Sequence, residues 1–310
     1  MANANPRVAY GETLVELGKE NEKIVVLDAD LCGSTMGRLF EKAYPQRHYE
    51  MGIAEANMVS VAAGLSTTGK IPFANSFAVF VAGRAYDQIR QTIAIGKLNV
   101  KIVGASAGLS DFGDGATHQS VEDMAIMQAI PNMTVICPAD ANETAAATRA
   151  IAEYDGPVYI RVNRNDYENI TKEDKPFVIG ETTVMREGTD IVLFATGYLV
   201  GVALKAAENV ADKISVKVVN VPTIKPLNPE IIRDHAKGAK AVITAEEHSV
   251  VGGLSSVVLS ALAKTKIPVD TIGMNDTFGC SAHNYNELLA YFGFTDEGIA
   301  ARIEKVYEEL

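Results

Sequence analysis

Cysteine is scarce in this 310-residue chain, and its three copies lie far apart: Cys32, Cys137 and Cys280, with no CxxC pair. That spacing excludes a disulfide framework and a cysteine-based zinc site. Positive charge is also short. Lys and Arg number 28 against 39 Asp and Glu, a formal net charge of −11, whereas a nucleic-acid or anionic-membrane surface calls for a basic face. No apolar run approaches the roughly 20 residues that span a bilayer, and no basic-then-apolar leader opens the sequence. Neither G-x-G-x-x-G nor G-x-x-x-x-G-K-[ST] occurs, so the two common phosphate loops are missing. What is present, 47% hydrophobic and 22% charged residues, is the composition of a soluble globular protein. The expectation is a cytoplasmic protein with no nucleic-acid or membrane partner, long enough for two ordinary domains.

The chain alternates between short β-branched apolar runs and longer helical stretches. Lys23–Asp28, Val100–Gly104, Met133–Cys137 and Val158–Val162 read as strands, with helices at Gly11–Asn21, Ala54–Thr68, Phe77–Gly96, Gln119–Ala129 and Asn142–Tyr154 between them. Asp140 followed by Glu143 predicts a capping box for the last helix. A polar stretch from Asn163 to Pro176 follows, and then the alternation restarts. Strands are predicted at Ile191–Ala195, Val216–Val221, Ala241–Ala245 and Val269–Ile272, and helices at Leu199–Val210, Pro229–Ala236 and Leu254–Ala263. Asn228-Pro229 is an N-cap and N1 pair. Apolar strands separated by helices imply parallel sheets covered on both faces. The predicted fold is α/β, two sandwich domains over residues 1–175 and 185–310, each with a mostly parallel sheet.

Two motifs resemble catalytic signatures that the rest of the sequence does not complete. Gly104-Ala105-Ser106-Ala107-Gly108 matches the G-x-S-x-G nucleophile elbow, but the continuation is loop composition where a helix must begin, and His118 comes too early. A serine hydrolase is a weak alternative. Gly113-Asp114-Gly115 resembles the start of a metal–diphosphate motif, but no Asn-Asn pair follows some two dozen residues later. A third signal is a single acid. Glu55 heads a helix that carries no charge from Ala56 to Gly69 and is therefore expected to be buried on most sides. The helix dipole favours its ionised form and burial its neutral form. Alone, it would be an ordinary helix-start glutamate.

Taken together, YEMGIAEANMVSVAAGL (Tyr49–Leu65), PFANSFAVFVAGRAYDQIR (Pro72–Arg90), GDGATHQSVEDMAIMQAIPNMTVICPADANE (Gly113–Glu143) and TAEEHSVVGGLSS (Thr244–Ser256) resemble the second half of transketolases. LDADLCGST (Leu27–Thr35) falls in the same order. No stretch resembles that family's N-terminal, diphosphate-binding half. The resemblance is therefore to the C-terminal subunit of a split transketolase. It implies thiamine diphosphate and Mg²⁺ as cofactors, with the metal and diphosphate ligands on a separate N-terminal subunit and none on this chain. An α₂β₂ assembly is the expected partnership. The implied reaction moves a two-carbon ketol unit from a ketose phosphate to an aldose phosphate.

The resemblance also implies roles. Glu55, in the context Gly52-Ile53-Ala54-Glu55, is the acid that hydrogen-bonds the pyrimidine ring of the cofactor, general acid–base work favoured by dry surroundings. Phe77 and Phe80, at i and i+3, would stack on that ring, although ordinary aromatic packing is the plainer reading of such a pair. Gly83 stands where many relatives have a third aromatic, leaving the ring pocket more open. Ile53 lines the ring, and Asp30 touches the cofactor from a neighbouring subunit. His118 and Asp114 contact the donor hydroxyls, and a neutral imidazole can both donate and accept a proton. Arg7, Ser34 and Arg164 hold the substrate phosphate, a task suited to the guanidinium fork, whereas Arg161 lies nearer the sheet and is the less suited of the two. Ser106 replaces a histidine usual at the phosphate site, so donor and acceptor stay open. Glu246, Glu247, His248 and Gly252-Gly253 are expected at a subunit contact without chemistry, and His235 and His283 at the surface. Rival readings are a subunit like 1-deoxyxylulose-5-phosphate synthase or the β chain of a 2-oxo-acid dehydrogenase, and a non-catalytic assembly subunit.

Overall fold

The structure, a computed structural model, describes residues 3–310. Two sheets organise it. The first has seven strands, ordered Thr223–Lys225, Thr134–Ile136, Val158–Val162, Lys101–Ala105, Ile71–Phe77, Ile24–Asp28 and His48–Glu50. All pair in parallel except Thr223–Lys225, which runs antiparallel along one edge. The second has five strands, ordered Val269–Met274, Ala241–Ser249, Ile191–Ala195, Val216–Asn220 and Thr183–Arg186, the last of them antiparallel. The α/β class with mostly parallel sheets is therefore as the sequence predicts. The inner strands Ile24–Asp28, Lys101–Ala105 and Val158–Val162 are buried at every residue, as helices on both faces require. Among the described residues, no helix is long and apolar enough to cross a membrane.

Helix ends follow local chemistry. Asp140 accepts from the Glu143 N–H, and the Glu143 carboxylate reaches back to the Ala139 N–H at 2.7 Å, one residue before the position a capping box would use. Asn228 caps Pro229–Ala236 with proline at the first turn. The predicted helix Phe77–Gly96 is different. Residues Ile71–Phe77 form a strand, and the helical part breaks into Ala78–Arg84, Tyr86–Gln88 and a π-helical turn Ile89–Ala94. Asn75 and Ser76 hid that strand, since both are polar yet wholly buried within it. The strands His48–Glu50, Thr183–Arg186 and Thr223–Lys225 were missed because each is short and lies at a sheet edge.

Among the described residues, one of three buried clusters spans both sheets. Met124, Met127, Cys137 and Ile224 pack with Val192, Phe194 and Val219 in a single buried cluster. The helix Glu55–Thr67 departs from expectation: Asn57, Ser60, Gly64 and Thr67 are exposed, and only Glu55, Met58, Val59, Ala62 and Ala63 are buried. Small, uncharged side chains cover the open side, so an absence of charge does not mean that a helix is enclosed.

Candidate functional site

Parallel α/β sheets leave their binding crevice outside the carboxyl ends of the strands. Four first-sheet strands deliver the candidate residues there. Ile24–Asp28 leads to Asp30, Ile71–Phe77 ends on Phe77, Lys101–Ala105 opens the loop to His118, and Val158–Val162 leads to Arg164.

Glu55 is the first residue of its helix and only 3% exposed. Its carboxylate accepts a hydrogen bond from Arg84 at 3.0 Å, and the same guanidinium lies 4.1 Å above the Phe80 ring. Phe80 and Phe77 stack with centroids 5.8 Å apart and planes 18° from parallel. They reach this arrangement although Phe77 is a strand residue and not, as the spacing suggested, part of one helical face. His118 stands edge-on to both rings, 5.2 Å from Phe80 and 6.2 Å from Phe77, and Thr117 Oγ lies 2.9 Å from its Nδ1. A Cβ placed on Gly83 would meet no atom within 4 Å, so the space beside the aromatics is open.

Phe77 continues the path toward cations. Arg164 lies 5.7 Å from its ring centre and also pairs with the Asp111 carboxylate. Arg7 donates to the Ser34 carbonyl at 3.0 Å, and its own proton affinity is depressed first by burial and then by Arg164. Asn5 ties the segments together by donating to the Arg164 carbonyl at 2.9 Å. Arg7, Ser34, Arg164, Phe77, Phe80, His118 and Glu55 thus form one connected path. The remaining candidates border it loosely. Asp114 is exposed at the start of the turn Gly115–Thr117, Asp30 is exposed with φ +57°, and Ile53 is 75% exposed.

The loop carrying His118 is clamped by the second sheet's side of the molecule. Glu247 accepts from the Leu109 N–H at 2.7 Å, and Gln119 donates to the carbonyls of Asp111 and Cys280, each at 3.0 Å. Gly108 has φ +64°, and a Cβ there would fall 2.7 Å from the Glu247 side chain, so this position needs glycine twice over. Burial raises the Glu247 carboxyl from 4.5 to about 7.

The segment around Glu246, Glu247 and His248 is therefore not the subunit contact expected from sequence, because all three side chains are interior. Glu246 accepts from the N–H groups of Leu254 and Ser255, closing the N-terminus of Leu254–Leu262. His248 Nε2 accepts from the Ala125 N–H at 3.3 Å while Nδ1 faces the Ser249 carbonyl at 2.7 Å. These bonds fix one neutral tautomer, and burial lowers its pKa to about 4. Beside them Arg161 is buried, paired to Asp123 at 2.9 Å and donating to the carbonyls of Ser120 and Glu247. It is an internal joint, as its place near the sheet suggested. His235 is half-buried against Thr182, not a free surface residue, while His283 is exposed.

Ser106 has φ +51°, but its hydroxyl is fully buried without a partner, and a loop follows it. It has neither the exposure nor the base of a hydrolase nucleophile. Sequence reasoning missed three contributors: Arg84, Asp111 and Glu247. Arg84 stands in a recognisable run (Arg84–Gln88). Nothing local marks Asp111 or Glu247, whose partners lie 53 and 138 residues away.

Comparisons with known proteins agree on one family. Residues 3–169 match the family described as transketolase, pyrimidine binding domain, and residues 180–299 match transketolase, C-terminal domain. A putative transketolase C-terminal section from Methanocaldococcus jannaschii is 48% identical, covering 96% of this chain and 94% of that protein. A 6-deoxy-6-sulfo-D-fructose transketolase subunit from a Clostridium species is 40% identical, covering 97% and 94%. A solved structure described as a split gene transketolase, inactive beta4 tetramer, superposes with a TM-score of 0.90 at 47% identity, covering 98% of both chains.

Proposed function

This chain belongs to the transketolase family, and from that premise we propose that it is the ring-binding subunit of a two-chain, thiamine-diphosphate-dependent enzyme that transfers a two-carbon ketol unit between sugars. We read residues 1–175 as the pyrimidine-binding unit and 185–310 as the C-terminal unit. The observation that carries the proposal is the connected path from Glu55 through Phe80, Phe77 and His118 to Arg164. A flat apolar wall, open space at Gly83 and a buried carboxyl group at one edge suit an aminopyrimidine.

Thiamine diphosphate, when bound, supplies a carbon nucleophile that carries the two-carbon unit. Glu55 would hold the ring nitrogen by a hydrogen bond, in surroundings dry enough to make that bond strong. Phe77 and Phe80 would orient the ring and exclude water, with Ile53 at the rim and Asp30 reaching a neighbouring subunit's cofactor. His118, held by Thr117 and the aromatic edges, would move a proton at the donor hydroxyls, and Asp114 would read one of those hydroxyls. Arg7, Ser34 and Arg164 would receive the distal end of the sugar. Mg²⁺ and the diphosphate would be gripped by an N-terminal subunit, in an α₂β₂ assembly built on large apolar contacts. The exposed, uncharged side of Glu55–Thr67 suits such a contact.

The test is reconstitution. This chain, mixed with a partner carrying the diphosphate and metal site, should consume a ketose and form a ketose two carbons longer than the aldose acceptor. Turnover should require thiamine diphosphate, Mg²⁺ and both chains. Turnover by the isolated chain would refute the division of labour.

A further inference from the structure

The cationic end of the path is already neutralised from within. Asp111 is only 4% exposed, and the Arg164 guanidinium is the partner of its carboxylate. Arg164 is 27% exposed and stands 5.7 Å from the centre of the Phe77 ring. Arg7 is acted on by Arg164 in one sense and by Asp166 and Asp111 in the other. Two guanidiniums therefore stand near two carboxylates, Asp111 buried and Asp166 exposed, and their formal charges cancel. A buried carboxylate cannot give up its paired cation cheaply, because the charge left behind is poorly solvated. Any anion entering here must share Arg164 with Asp111 and stand close to that carboxylate.

The distal groups of sugars differ in what they would meet. A phosphate monoester carries close to two negative charges near pH 7, and like charges at short range repel strongly where water is excluded. A sulfonate carries one charge, and a free hydroxymethyl end carries none while still accepting a hydrogen bond from either arginine. We propose that Asp111 sets specificity at this end of the site, limiting the substrate's distal group to at most one negative charge and so disfavouring phosphate dianions. The proposal rests on the ketol-transfer reading and narrows its substrate class.

The reconstituted two-chain enzyme tests it with D-fructose 6-phosphate, 6-deoxy-6-sulfo-D-fructose and D-fructose as donors to one common acceptor. The wild type should show kcat/KM for the sulfonate at least tenfold above that for the phosphate. Asp111→Asn keeps an acceptor for Arg164 but removes the charge, and should move that ratio at least tenfold toward phosphate, mainly through KM. A wild-type preference for phosphate would overturn the proposal. So would an equal loss on all three donors in Asp111→Asn, which would mean that Asp111 merely holds the loop.

Absence of any turnover would count against the transfer reading instead, and binding to the full chain alone then decides. The Arg164 side-chain NMR resonance, assigned by its loss in Arg164→Lys, is titrated with methanesulfonate and with methyl phosphate. The wild type should respond to methanesulfonate at tenfold lower concentration, and Asp111→Asn should remove the difference. Asp111→Ser serves if the asparagine variant does not fold. Equal responses in the wild type, or an unchanged ratio in a folded variant, would overturn the proposal.

Discussion

Glu55 and Arg84 form an ion pair of 3.0 Å in which the carboxylate is 3% exposed and the guanidinium 52% exposed. One partner is inside and the other straddles the surface. The pair therefore sits between the two regimes known for salt bridges, in which exposed pairs contribute little and breaking a buried one costs several kcal/mol.

Removing the arginine isolates that buried carboxylate. Arg84→Gln should destabilise the chain by roughly 1–2 kcal/mol, below the fully buried figure because water screens half of the guanidinium. Adding Glu55→Gln should recover most of the loss. Urea unfolding of the single and double variants measures the coupling, and additive losses would show that the pair is energetically idle.

Glu55→Gln alone should leave folding and assembly with the partner chain intact but abolish turnover of the reconstituted enzyme, by three orders of magnitude or more. An amide retains the size of the side chain but has no ionisable oxygen through which a proton can be shared with a ring nitrogen. Wild-type rates from this variant would remove Glu55 from the chemistry.

Arg161 binds the Asp123 carboxylate and two carbonyls from separate segments. Arg161→Ala leaves the buried Asp123 carboxylate with the Tyr159 hydroxyl but no cation, and takes a donor from two buried carbonyls, and should cost about 3–5 kcal/mol. Arg161→Lys should recover less than half of that, because a point charge cannot reproduce the fork. Thermal unfolding distinguishes these outcomes.

Glu247 gives a pH signature. Its folded pKa is raised from 4.5 to about 7 by burial, so the folded chain holds a proton there that the unfolded chain has released between those values. The associated stability is fully present below pH 4.5 and is lost as pH rises through 7. Glu247→Gln, which never ionises, should therefore gain on the wild type across that window. At about 1.4 kcal/mol per unit of displacement the swing is a few kcal/mol. Parallel melting-temperature profiles of the two proteins from pH 4.5 to 8 would contradict the raised pKa.

Much of the architecture was legible because inner parallel strands are continuous apolar runs: Ile191–Ala195 and Val158–Val162 carry no interruption except Arg161, and both fall as read. The strand Ile71–Phe77 was not legible, since its buried Asn75 is satisfied by Tyr10 at 2.6 Å and Asp28 at 3.4 Å, partners 65 and 47 residues distant. Periodicity sees apolarity, not satisfied polarity. The Glu55 helix illustrates the reverse error, in which uncharged residues were taken for buried ones. At the site, the resemblance named Glu55, Phe77, Phe80, His118, Arg7, Ser34 and Arg164, which lie along one connected path, and Asp30, Asp114 and Ile53, which are exposed beside it. It could not name Arg84, Asp111 or Glu247 as their companions, because pairing across the fold leaves no local trace.

The short strand Thr223–Lys225 belongs by sequence to the second half of the chain yet completes an edge of the first sheet. A cut anywhere in the polar connector would strip that edge and bare a row of unpaired backbone groups on Thr134–Ile136, an invitation to sticky self-association. The two halves are thus stitched together rather than modular. Anyone hoping to graft the front half onto another scaffold must carry this distant three-residue patch along with it.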